Sequence, residues 1–288
     1  MKFRPITCLL FLGFLGCKES TSQNLPIRFS FHQSHKEISG MVWHSPTETL
    51  FALQDKGNKP EILVYNKDGK FLQSTKVNDV KNNDWEAMTQ DEKGLLYIGD
   101  FGNNKNDRTN LAIYQFDPES AKNQPAIHPT QITNFSYAEQ QEFPPKKGNL
   151  LFDSEAFIEK DGYFYLFTKN RSKGFDGTFY IYQIPNQPGT FIAKKLAELK
   201  TCDNYRKCAI TDATLTLDGD KVLLLTNEKV FEIPFGQWKQ ASLQETSLQH
   251  VSQKEAITFF APNTLWIADE VKEKNNFGNV YEIPWPKN

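Results

Sequence analysis

Short apolar runs recur along this chain, separated by turn clusters such as KDGK, DEKG, EKDG and LDGD. The first set is EISGMVW (37–43), TLFALQDKGN (49–58), EILVYN (61–66) and FLQSTKV (71–77). The second is DWEAMTQ, LLYIGDFGNN, LAIYQF (111–116) and QITNFSY (131–137). The third is DSEAFIE (153–159), YFYLFTKNR (163–171), TFYIYQI (178–184) and FIAKKLAEL (191–199). The fourth is ITDATLTL (210–217), KVLLLTNE (221–228), KVFEIP (229–234) and a weak SLQETSL (242–248). The fifth stops at three runs, KEAITFF (254–260), TLWIADE (264–270) and NVYEIPW (279–285). Runs of this length between turn residues read as β-strands, and 13% aromatic residues fit strands better than helices.

Four antiparallel strands per unit, repeated radially, predict an all-β protein built as a β-propeller. The missing fourth strand of the last unit is matched by a spare one, LPIRFSF (25–31). Pairing the two closes a ring of five blades over one domain, residues 25–288. Six blades would require a unit hidden in 117–150 or 185–209, and a β-sandwich would leave the repetition unexplained.

The opening residues do not belong to this pattern. Lys2 and Arg4 precede an apolar stretch from Ile6 to Leu15, too short to span a bilayer as a helix and read as a signal peptide over 1–16. Phe14-Leu15-Gly16-Cys17 resembles a bacterial lipobox. The resemblance implies cleavage before Cys17, acylation (palmitate included) of that cysteine, and a polar tether over 17–24. The expected location is the cell envelope, as an outer-membrane lipoprotein held by its lipid. Of four cysteines, Cys202 and Cys208 then remain as a pair. In an oxidising compartment they are expected to form a small loop disulfide, because a zinc site would need further cysteine or histidine ligands. A net charge of −2 offers no basis for nucleic-acid binding, and a monomer is expected.

Acids flank the second unit's LLYIG strand: Asp84 and Glu86 before it, Asp100 at its end. Aligned first strands place Ser39, Glu86, Glu155, Asp212 and Glu255 in one column, which a propeller directs toward its axis. Two carboxylates about 6 Å apart at an effective dielectric near 20 repel by roughly 3 kcal/mol. Four must therefore bind a cation, share protons or pair with bases, unless they serve only to cap backbone amides between blades. An all-oxygen set favours Ca2+ or Mg2+, so Glu86, Glu155, Asp212 and Glu255 are the expected metal ligands. A second column, Asp55, Asp100, Lys169, Asn227 and Asp269, ends the second strands. With Asn103, Arg108 and Arg171 it is expected to form a ligand-binding rim. Trp85, Trp266 and Trp285 are expected to pack between blades.

EISGM, DWEAM, LYIGDFGNN with Arg108, and IYQF resemble a family of secreted bacterial propellers, most clearly over 37–116. The pattern is more distantly similar to calcium-dependent propeller hydrolases of the phytase-esterase, apyrase and strictosidine-synthase types. That likeness implies a central calcium on Glu86, Glu155, Asp212 and Glu255, although Ser39 interrupts the ring. G-x-S-x-G, H-E-x-x-H, G-x-x-x-x-G-K-S/T and C-x-x-C motifs are all absent. The expected function is a binding or scaffold propeller recognising a protein, a glycan or a small anionic ligand. The alternative is a calcium-dependent hydrolase of phosphoesters, esters or lactones, with Glu86 or Glu155 as general base.

Overall fold

The computed structural model describes residues 24–240, 242–271 and 278–285; the expected signal peptide, Cys17 and most of the expected tether lie outside them. After β1 (Ile27–Ser30), the first group of strands is β2 (Ile38–His44), β3 (Thr49–Gln54), β4 (Glu61–Tyr65) and β5 (Phe71–Val77). The second contains β6 (Trp85–Gln90), β7 (Leu96–Asp100), β8 (Leu111–Phe116), a short helix α1 (Pro118–Asn123), β9 (Ala126–Ile127) and β10 (Gln131–Tyr137). The third is β11 (Asp153–Lys160), β12 (Tyr163–Lys169), β13 (Thr178–Pro185) and β14 (Gly189–Lys200), followed by α2 (Tyr205–Cys208). β15 (Ile210–Leu215), β16 (Lys221–Thr226), β17 (Lys229–Pro234) and β18 (Gln244–Ser247) make the fourth, and β19 (Lys254–Ala261), β20 (Thr264–Asp269) and β21 (Asn279–Pro284) the fifth.

Apart from β9, antiparallel pairing runs through each group in chain order, and β1 pairs with β21 to give the last group its fourth strand. The first strands form a closed succession, β2 beside β6, β6 beside β11, β11 beside β15, β15 beside β19, and β19 beside β2. That closure makes the fold a β-propeller.

Burial follows from this geometry. Inner strands are covered on both faces by their neighbours, so β2 is buried at every position. Outer strands alternate, as in β10 (ITNFSY, with Thr133, Phe135 and Tyr137 inward), and β18 is exposed throughout. Among the described residues the core consists of separate apolar wedges, each between adjacent groups. Trp85 lies in the wedge between the first two groups, Trp266 between the last and the first, and Trp285 between the last two. The turn Lys160–Tyr163 shows why the punctuation is what it is: Asp161 and Gly162 take φ of 55° and 78°, as a two-residue hairpin turn of primed type requires.

The two long stretches hold no further unit. Residues 117–137 carry α1, β9 and β10, and β9 adds to the edge of β5 in parallel. Residues 189–200 form the single long strand β14. β14 also pairs in parallel with β10, from Thr133–Gly189 to Tyr137–Ala193, joining the second and third groups into one eight-stranded sheet.

Candidate functional site

Every inner strand is bulged against its neighbour at the same place. The extra residue is Ser39 in β2, Glu86 in β6, Glu155 in β11, Thr211 in β15 and Glu255 in β19. A bulge leaves one residue unpaired and re-aims its side chain. Here Glu86, Glu155 and Glu255 turn into a cavity of about 340 Å3, together with Ser39.

The fourth group corrects the expected column. Thr211, not Asp212, is the bulged residue, and Asp212 takes the position held elsewhere by Gly40, Ala87, Ala156 and Ala256. Small residues are needed there because groups approach closely; a Cβ on Gly40 would stand 2.7 Å from the Met88 nitrogen. Asp212 solves the same contact differently. Its fully buried carboxyl accepts the backbone N–H groups of Ala213 and of Ile257 in the next group, each at 2.8 Å. It does not line the cavity.

The rim residues divide likewise. Paired registers put Gln54, Asp100, Thr168, Thr226 and Asp269 at equivalent places around the ring, so Asp55, Lys169 and Asn227 stand one residue beyond Asp100 and Asp269. Asp55, Lys169, Arg171 and Asn227 nonetheless line the cavity. Asp100 is buried behind it, accepting from Asn83 Nδ2 at 2.6 Å, Arg108 at 2.8 Å, the Asp84 backbone N–H at 3.1 Å and Tyr114 Oη at 3.2 Å. Arg108 also donates to the Gly102 carbonyl at 2.6 Å. Asn103 donates through its backbone to Asp153 at 2.5 Å and through its amide to the Phe152 carbonyl at 3.1 Å. Asp269 accepts from Ser252 and Tyr281, both at 2.6 Å. These four position neighbours rather than face a ligand.

Charge is unevenly balanced across the cavity. On one side, Glu155 pairs with Lys169 at 3.1 Å and with Arg171, which also reaches Asp153 at 2.5 Å and Tyr205 Oη at 2.6 Å. Burial alone would raise the Glu155 pKa, but Lys169 and Arg171 outweigh it and hold the carboxyl at about 2. Burial raises Asp153 to about 7 against the pull of Arg171. Glu255 is pushed up to about 8, chiefly by burial, with Lys169 opposing.

On the other side, Asp55, Asp84 and Glu86 each offer an oxygen, all within 4.8 Å of one another, and could hold a metal ion. Lys56 meets Asp84 at 2.7 Å. Glu86 is 7% exposed, lines the cavity, and has no hydrogen bond or ion pair among the described residues. Burial, then the charges of Glu155, Asp55 and Asp84, push its pKa well up. Gly102 is required here: a Cβ would collide with the carboxyls of Glu86 and Asp84. The metal set expected from sequence is thus not assembled. Glu86 faces Asp55 and Asp84, while Glu155 is held by cations and Asp212 by backbone amides.

Asp84, Lys56 and Tyr205 were missing from the expected site. Asp84 directly precedes the Trp85-Glu86 pair, and Lys56 follows Asp55, so both were legible as neighbours. Tyr205 lies between Cys202 and Cys208, which form a disulfide with Cα atoms 5.5 Å apart. That link, with Asn204 capping the Lys207 N–H, holds α2 against the cavity.

Comparison with known proteins supports the fold. Among curated proteins none matches the sequence. The chain is similar to the PQQ-bound aldose sugar dehydrogenase of Streptomyces coelicolor, with a TM-score of 0.50 and 10% identity over 91% of this chain and 98% of that one. A luciferin-regenerating enzyme gives 0.46 and 14% over 89% and 93%. A nidogen/laminin complex gives 0.45 and 12% over 82% and 73%. At these identities the first likeness speaks to fold alone. Residues 24–138, which contain β1 to β10, match the model of the SdiA-regulated family. The chain is therefore a β-propeller whose residues 24–138 carry the sequence pattern of the SdiA-regulated family.

Proposed function

We propose that the protein is a monomeric, lipid-anchored binding propeller of the outer membrane. Its cavity holds a divalent cation on Asp55, Asp84 and Glu86 and presents that cation to a ligand. The observation that carries the reading is Glu86, a buried carboxyl aimed into a cavity with no partner among the described residues, beside two further carboxylates. A buried charge without a partner is costly unless a cation or a proton neutralises it. The all-oxygen donor set favours calcium, whose six to eight ligands exceed what three carboxylates supply, leaving positions for ligand oxygens.

Calorimetric titration of CaCl2 into EDTA-treated protein tests this. One bound ion per chain, lost in Glu86→Gln, is expected; no binding heat or stabilisation up to 10 mM would overturn it. The anchor is tested separately, by mass spectrometry of the mature N-terminus and by release of Cys17→Ser from membranes.

A hydrolytic reading is favoured by one observation. Glu255, raised to about 8, shares the cavity and keeps its proton at neutral pH, as a general acid must. Calcium would polarise the scissile oxygen. Glu155, held at about 2 by Lys169 and Arg171, is a weak base and unsuited to the role expected from sequence. Turnover of phosphoester, ester or lactone substrates, lost in Glu255→Gln, would decide for this reading over binding alone.

A further inference from the structure

Two acids held by the fold, Asp84 and Glu86, meet a third, Asp55, and the exposed Lys56 at the cation cluster. Asp84 is nearly buried, with 6% of its side chain exposed, and is held through its backbone N–H by Asp100. Glu86 is buried against Gly102. Lys56, by contrast, is 47% exposed along its side chain, and its Nζ lies 2.7 Å from Asp84 Oδ1. Asp84 and Glu86 are therefore placed by the fold, whereas the ammonium reaches Asp84 from a surface turn with half its side chain open to water.

We propose that Lys56 is the specificity-determining residue of the cluster: a tethered ammonium that occupies the carboxylates, excludes monovalent cations, and is displaced by a divalent one. This rests on the cation-site reading above. A sodium or potassium ion brings one positive charge, no more than the ammonium already supplies. The tether also gives the ammonium a high effective concentration. A calcium ion doubles the charge and draws oxygens from all three carboxylates at once. Two cations beside the same three acids repel, so the ion and the ammonium exclude each other.

The test is calorimetric titration of CaCl2 into the EDTA-treated wild type, Lys56→Met and Lys56→Arg, each at 10 and 200 mM KCl. Lys56→Met should bind calcium at least tenfold more tightly at low salt and lose more of that affinity than the wild type when KCl is raised. Lys56→Arg, which keeps the charge, should stay within about threefold of the wild type. Wild-type binding with no gain in Lys56→Met would overturn the role of Lys56 and leave the cation site standing. Absence of binding in all three proteins would overturn both. Thermal melts of each variant without calcium confirm that folded protein is being compared.

Discussion

Asp212 and Ile257 are joined across two neighbouring strand groups, the carboxyl of one accepting the backbone N–H of the other at 2.8 Å. Neither atom has water to fall back on, since both residues are buried. Asp212→Ala should therefore destabilise the protein by about 2–3 kcal/mol, as a buried N–H loses its acceptor. Asp212→Asn keeps an acceptor oxygen and should leave calcium affinity at the wild-type value. Chemical denaturation and calorimetry check the two halves; a loss of calcium binding in Asp212→Asn would return this residue to the metal site.

Glu86 should show opposite effects on stability and on binding. Glu86→Gln removes an uncompensated buried carboxyl, so the cation-free protein should gain about 1 kcal/mol. The same change should weaken calcium binding tenfold or more. Melting curves in EDTA and in millimolar calcium measure both, and calcium should raise the midpoint of the wild type much more than that of the variant.

Glu255 sets an expected pH dependence. Its folded pKa, about 8, lies above that of a free glutamate, so its contribution to stability is fully present below about 4.5 and is lost as pH rises through 8. Relative to Glu255→Gln, the wild type should lose about 2 kcal/mol or more between pH 5 and pH 8 without calcium. Urea denaturation of both proteins at the two pH values gives the difference. Parallel pH profiles would show that Glu255 ionises normally.

The Cys202–Cys208 link closes a loop with a sequence separation of 6. In the chain-entropy account a loop of this size is worth about 2 kcal/mol. Paired Cys202→Ser and Cys208→Ser substitutions should cost about that much in equilibrium denaturation. They should also loosen Tyr205, whose hydroxyl accepts from Arg171 at 2.6 Å, and so raise its fluorescence accessibility to quencher.

The fold was legible because its signal repeats: each turn cluster and apolar run recurs with the strands it marks, and LPIRFSF was left over where one strand was needed. The site was legible only to within one residue. Aligning acid with acid put Asp212 beside Glu86, whereas the backbone aligns ITD with WEA and places Thr211 there. A bulge adds a residue to one strand without changing composition, so identity of charge misled where the small-residue column, Gly40, Ala87, Ala156 and Ala256, would have given the register. The split of the acids was hidden for another reason. Whether a carboxylate is neutralised depends on which cation folds beside it, and Lys169 and Arg171 reach Glu155 while Glu86 has no ion pair among the described residues.

The parallel pairing of β10 with β14 ties the second and third groups along their outer edges as well as through their wedge of side chains. Peeling either outer strand away would break backbone bonds to the other, so the two groups should open as a single cooperative unit. In native-state hydrogen exchange, ladder amides of β10 and β14 should share one opening free energy and one denaturant slope, while β18, fully exposed and paired on one side only, should exchange through fraying long before them.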